Sequence, residues 1–90
     1  MSNPHYNQVR EFLDRGAHLA GVEALQEDQR VVLTYYFLLD GKSERLDYET
    51  TDGSCPSIIQ LFGSADYIER SLHASHGLKF VGNPNLEVGL

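Results

Sequence analysis

The chain has 90 residues, 41% of them hydrophobic, and carries 13 acidic against 7 basic residues for a formal net charge of −6. One small domain of this size buries only about 60% of the surface its unfolded form exposes, so a partner surface, a second copy or a ligand would add usefully to its stability. The acidic balance argues against a nucleic-acid backbone or an anionic membrane surface as main partner, because phosphate binding runs on clustered Lys and Arg, and here Arg10, Arg15, Arg30, Lys42, Arg45, Arg70 and Lys79 are scattered.

In chain order, Pro4 to Arg15 is predicted to be a helix. Asn3 is the natural N-cap, Pro4 suits the first helical position and Gly16 is the expected stop. Tyr6, Val9, Phe12 and Leu13 fall on one face at helical spacing, which makes this helix a lid over a sheet. Leu19 to Leu25 alternates weakly, and Gly21 within it marks an edge strand. Arg30 to Leu39 is the strongest strand. Val31, Leu33, Tyr35, Phe37 and Leu39 line one side, and Val32, Thr34, Tyr36 and Leu38 the other, a pattern expected of a central strand covered on both faces.

Asp40-Gly41 predicts a tight two-residue hairpin, since both positions tolerate positive φ. Ser43 to Thr51 returns as a half-exposed strand, with Leu46, Tyr48 and Thr50 toward the core and Arg45, Asp47 and Glu49 toward water. Asp52-Gly53-Ser54 then ends the sheet. Ser57 to Gln60 fits a capping box for a helix only a turn or so long, broken at Gly63. Ser64 is the expected cap of the next helix, with Asp66 in its first turn. Leu61, Ala65, Ile68 and Leu72 are its predicted buried stripe, and Gly77 its left-handed C-cap. Lys79-Phe80-Val81 adds a short strand. The fold expected is α+β: an N-terminal helix, a three-stranded antiparallel meander, then two short helices and a short C-terminal strand packed on the sheet, all in a single domain over residues 1–90.

Few groups suggest chemistry. His73 and His76 lie three apart, with Glu69 one turn earlier, and such a set could supply part of a metal site. The ordinary reading is stronger, because histidines near a helix C-terminus interact well with the dipole and a defined site needs three or four ligands. Cys55 stands alone, which rules out an internal disulfide and gives only a weak signal for a nucleophile. Glu69 and Arg70 read either as solvated surface or as charged contacts to another subunit. The start of the chain shows no secretory pattern, and the longest apolar run falls far short of the roughly 20 residues of a membrane span. The expectation is a cytoplasmic protein, held at a membrane, if at all, through other subunits of a complex, with no direct membrane insertion.

The stretch PSIIQLFGSADYIERSLHASHGLKFVGNPNL, from Pro56 to Leu86, resembles the signature region of the 30 kDa subunit of respiratory NADH:quinone oxidoreductase, or complex I. The same domain occurs in membrane-bound NiFe hydrogenases of the formate hydrogenlyase type. The shared positions are Pro56, Ser57, Ile58, Leu61, Phe62, Ser64, Ala65, Tyr67, Glu69, Arg70, Gly77, Leu78, Phe80, Gly82, Pro84, Asn85 and Leu86. The sequence departs at Ser71 and Ala74, where the family carries acids, at His76, where it has an aromatic, and at Asn83, where it has histidine. It also ends at Leu90, where the family usually continues into a basic tail.

The resemblance implies a non-catalytic accessory subunit, without a cofactor of its own, that packs on the large subunit of a complex I-like NADH dehydrogenase or energy-converting NiFe hydrogenase. It implies a partner interface at Tyr67, Glu69, Arg70, His73, Phe80, Asn83 and Pro84. Two other readings stand beside it. One is a diverged stand-alone domain that forms homo-oligomers or binds another soluble protein. The other is a small metal or thiol enzyme using Cys55, His73 and His76.

Overall fold

A computed structural model describes residues 4–86. Its elements are α1 (Pro4–Asp14), β1 (His18–Gln26), β2 (Val31–Leu39), β3 (Lys42–Thr50), β4 (Ser54–Pro56), α2 (Ala65–His76) and β5 (Lys79–Val81). The first three strands form an antiparallel sheet in the order β1-β2-β3. The expected α+β architecture is present, with β2 in the centre and the Gly21 strand at an edge.

Apolar residues on alternate positions of β2 build the core. Val31, Leu33, Tyr35, Phe37 and Leu39 are all buried on one face. Above them lies α1, whose inward residues are His5, Val9 and Phe12 at the i, i+4, i+7 spacing of one helix face. Phe12 stacks flat on Phe37 at 4.3 Å between centroids, and His5 sits against Tyr35 and Tyr48 at 4.8 and 4.5 Å. Of the expected stripe, Val9 and Phe12 face inward, while Tyr6 is only half-buried and Leu13 exposed; His5, one turn before Val9, takes the remaining inward place. The predicted cap Asn3 lies outside the described residues.

The hairpin forms as the sequence indicates. Asp40 and Gly41 both adopt positive φ, 53° and 77°, and bring Leu39 opposite Lys42. Leu46 and Tyr48 turn toward the core while Arg45, Asp47 and Glu49 face water. At the other edge, a bulge between Leu19 and Gly21 interrupts the register of β1 with β2.

The sheet and the turn that follows it differ from expectation in three ways. First, β2 is not covered on both faces. Both helices and the second sheet serve the same side, so Val32, Thr34 and Tyr36 are only half-buried and Leu38 is exposed. Second, the chain makes another strand after Asp52: β4 pairs in parallel with β5, Cys55 opposite Phe80, so that α2 is the crossover of a small strand–helix–strand unit. Third, the segment after Ser57 is one hydrogen-bonded turn, closed by Leu61 N–H and Phe62 N–H on the Ile58 carbonyl at 3.0 and 2.9 Å, and not a capped helix.

Helix α2 begins after Ser64, but the Ser64 hydroxyl makes no capping bond. It ends at Gly77, whose left-handed backbone (φ 69°) lets its N–H reach the His73 carbonyl at 3.0 Å. Its buried residues are Ala65 and Glu69. Leu61, Ile68 and Leu72, expected in the buried stripe, are only half-buried.

Candidate functional site

The α2 segment carries a glutamate inside the protein. Glu69 is 2% exposed, and its carboxylate accepts from the Ser57 hydroxyl at 2.7 Å, the Ile58 backbone N–H at 2.9 Å and the Asn83 side-chain amide at 2.9 Å. Burial raises the Glu69 pKa, while the same donors pull it back. The residue lies four after Ala65 and three before Leu72, which places it on the inner face of α2. Sequence reasoning put it on the surface because of its charge. The signal for the interior was its spacing.

Glu69 thereby joins three parts of the chain that are far apart in sequence. Ser57 and Ile58 begin the turn after β4, and Asn83 follows β5. Ser57 does not complete the predicted capping box: its hydroxyl donates to Glu69 and accepts the Ile59 N–H at 3.3 Å, but its own N–H, which Gln60 would have to bond, goes to the Val81 carbonyl at 2.9 Å. Asn83 in turn uses its side-chain oxygen to accept the Asn85 N–H at 2.8 Å. The Asn85 amide then donates to Asp66 at 3.1 Å, which, as the largest cause, holds the Asp66 carboxyl below its usual range. Asp66 also pairs with Arg70 at 3.2 Å along the helix. The loop Gly82–Asn85 is thus tied to both turns of α2 that face it.

Of the residues expected at a partner interface, Glu69, Phe80 and Asn83 are buried within this fold. Tyr67, Arg70 and Pro84 are exposed, and His73 is half-buried. His73 donates from Nδ1 to the Leu78 carbonyl at 2.8 Å, which joins the helix end to the start of β5. The inner residues shape the loop, and the outer ones are free to touch another surface.

The groups that suggested chemistry are engaged structurally. Cys55 is 1% exposed with its Sγ 3.3 Å from the Tyr35 hydroxyl, and burial pushes its thiol up to about 12. A thiol held protonated at neutral pH is a poor nucleophile. Glu69 points inward while His76 is exposed, its Nδ1 2.7 Å from the Ser75 hydroxyl, so the trio of Glu69, His73 and His76 does not converge. Among the described residues no group of three His, Cys, Asp or Glu side chains could hold a metal ion.

The other prominent surface is the outer face of the sheet. Leu25, Val32, Thr34 and Tyr36 line a shallow groove there, together with Glu23, Arg45, Asp47 and Glu49. Leu25 is 60% and Leu38 47% exposed, large values for leucines on a strand. The charges are arranged around this apolar row: Arg30 bonds Glu27 and Glu49 at 2.6 and 2.9 Å, and Tyr36 donates to Glu23 at 3.2 Å. Among the described residues no helix is long and apolar enough to cross a membrane.

Comparison with known proteins places the chain among relatives of one family. Two curated relatives are each 28% identical over 71 residues: the C subunit of NADH-quinone oxidoreductase from Rhodobacter capsulatus and that from Sinorhizobium medicae (strain WSM419). In both cases 76% of this chain is covered, but the match spans only about a third of the relative's length, 36% and 35%. The family described as respiratory-chain NADH dehydrogenase, 30 Kd subunit, matches residues 3–90. Since that match takes in nearly the whole sequence, the chain belongs to the 30 kDa subunit family of respiratory-chain NADH dehydrogenase.

Proposed function

We propose that this chain is a non-catalytic accessory subunit that docks on the large subunit of a complex I-like NADH dehydrogenase or an energy-converting NiFe hydrogenase. The observation that carries this reading is the family match along residues 3–90. The geometry favours it over an enzyme, because Cys55 and Glu69 are spent on internal bonds. In this reading the chain carries no cofactor of its own and sits at the inner membrane only through its complex.

Two surfaces suit the docking. One is the apolar row Leu25, Val32, Tyr36 and Leu38 on the outer sheet face, where a central strand lacks the second cover its sequence calls for. The other is the exposed set Tyr67, Arg70 and Pro84 beside the loop that Glu69 holds, with half-buried His73 at its edge. Tyr67 is 74% exposed, and Tyr and Arg are the residue types that anchor interfaces.

The test is recovery of the tagged chain from native membranes under mild detergent. A large subunit of NADH dehydrogenase or hydrogenase type is expected in stoichiometric amount, and its absence would remove the proposal. A second reading, a diverged stand-alone domain that self-associates or binds another soluble protein, draws on the outer edge of β3, which pairs with no other strand among the described residues.

A further inference from the structure

We propose that β3 pairs with the β3 of a second copy, antiparallel about a two-fold axis at Leu46, to make one six-stranded sheet. This goes beyond docking on a large subunit and does not depend on it.

The argument starts from the hairpin. In a two-residue hairpin the residues flanking the loop exchange hydrogen bonds, and bonded pairs then alternate along the ladder. Leu39 opposite Lys42 is the flanking pair, so Lys42, Glu44, Leu46, Tyr48 and Thr50 bond inward to β2. Ser43, Arg45, Asp47 and Glu49 turn their backbone N–H and C=O outward. β3 has no neighbouring strand on that side among the described residues, and its nine residues show no register shift against β2. It is a long, regular, open edge, which is the feature that invites strand pairing.

Overlap and charge select the register: Leu46 is the midpoint of β3, so a two-fold there pairs all nine residues. Side chains stay on their own faces only when like-parity positions oppose one another. A two-fold centred on Arg45 or on Asp47 would set that charge against itself. Centring on Tyr48 would oppose Asp47 and Glu49 twice, and centring on Glu44 would oppose that acid to itself. Centring on Leu46 opposes Arg45 of one copy to Asp47 of the other, twice, with no like-charge pair. Directly opposite ions on a sheet attract and like ones repel. Within one copy Arg45 and Asp47 already lie on the same outer face, Nη2 to Oδ2 at 3.2 Å, with side chains 64% and 43% exposed. Pairing lets each exchange that solvated contact for one across the join. On the inner face, half-buried Leu46 meets its own copy and extends the core across the axis.

Sedimentation equilibrium of the purified chain, from micromolar to millimolar, tests this. A monomer–dimer equilibrium is expected. Asp47→Arg puts two cations opposite each other at both positions and should weaken the dimer roughly tenfold or more. The double variant R45D/D47R restores opposite pairing and should recover it. Leu38→Asp, on the outer sheet face, should leave the dimer intact. Circular dichroism checks the fold of each variant. A chain that stays monomeric at millimolar concentration overturns the proposal. So does a dimer indifferent to Asp47→Arg, not rescued by the double variant, or lost in Leu38→Asp. Because the purified chain is used alone, the outcome is independent of whether membranes yield a large subunit.

Discussion

The Asn83 side-chain amide donates to the buried Glu69 carboxylate at 2.9 Å, joining the loop after β5 to the middle of α2. The backbone N–H of Ile58 and the hydroxyl of Ser57 supply the other two bonds, so one side chain satisfies donors from two separate loops. A neutral amide cannot do the same, because its NH2 group must face at least one of those donors.

Glu69→Gln is therefore expected to destabilise the fold by about 1–3 kcal/mol, the cost of leaving a buried polar group unpaired. In a domain of this size that corresponds to a fall in melting temperature of roughly 4–8 °C per kcal/mol. Urea unfolding checks it. A surface role for Glu69 predicts a change within about 0.5 kcal/mol.

Acid should act through His5. Burial lowers its pKa from 6.5 to about 4, so between these values the unfolded chain binds a proton that the folded chain does not. Stability from this group is complete above pH 6.5 and is lost as pH falls toward 4, by about 3 kcal/mol in all. Glu69 slopes the other way, since its raised pKa lowers stability as pH rises past the usual glutamate range. The difference between wild type and His5→Phe, measured by denaturant unfolding from pH 4 to 7, isolates the histidine. The variant should lack the acid-side loss.

Cys55 should resist thiol reagents in the folded protein. Its thiol is buried against Tyr35 and pushed up to about 12, so attack requires opening of the sheet–β4 contact. Labelling at neutral pH should track the unfolded fraction in a urea series. Rapid labelling of the native state would show a reactive thiol instead.

On the outer sheet face, Leu25→Asp and Leu38→Asp should change stability by no more than about 0.5 kcal/mol, as both side chains are exposed and outside the core. If the face docks a large subunit, either variant should abolish co-purification. If Tyr67, Arg70 and Pro84 alone make the contact, Tyr67→Ala will abolish it and the leucine variants will not.

Much of the fold was legible from local chemistry. The Asp40-Gly41 turn, the glycine that closes α2 and the alternating faces of β2 and β3 each follow from one residue's torsional freedom or one period. β4 was not legible, since a three-residue strand ending in proline carries no period of its own and exists only through pairing with Lys79–Val81. His5 and Glu69 were missed for a shared reason. Both are polar by type, yet each sits at helical spacing from a buried neighbour, His5 from Val9 and Glu69 from Ala65. Position on the helix outweighed side-chain class, because two tilted tyrosine rings accommodate one and three donors accommodate the other. The candidate site was legible only in its outline: the α2 stretch marked the family, but not which of its residues face inward.

The bulge between Leu19 and Gly21 bears on how such sheets could grow. Bulges twist an edge away from regular pairing, so β1 is a poor template while β3 is a good one. Among the described residues, a three-stranded sheet with one regular open edge reaches saturation once two copies meet there. Assembly then terminates as a closed pair, and head-to-tail propagation into fibres is denied its second contact.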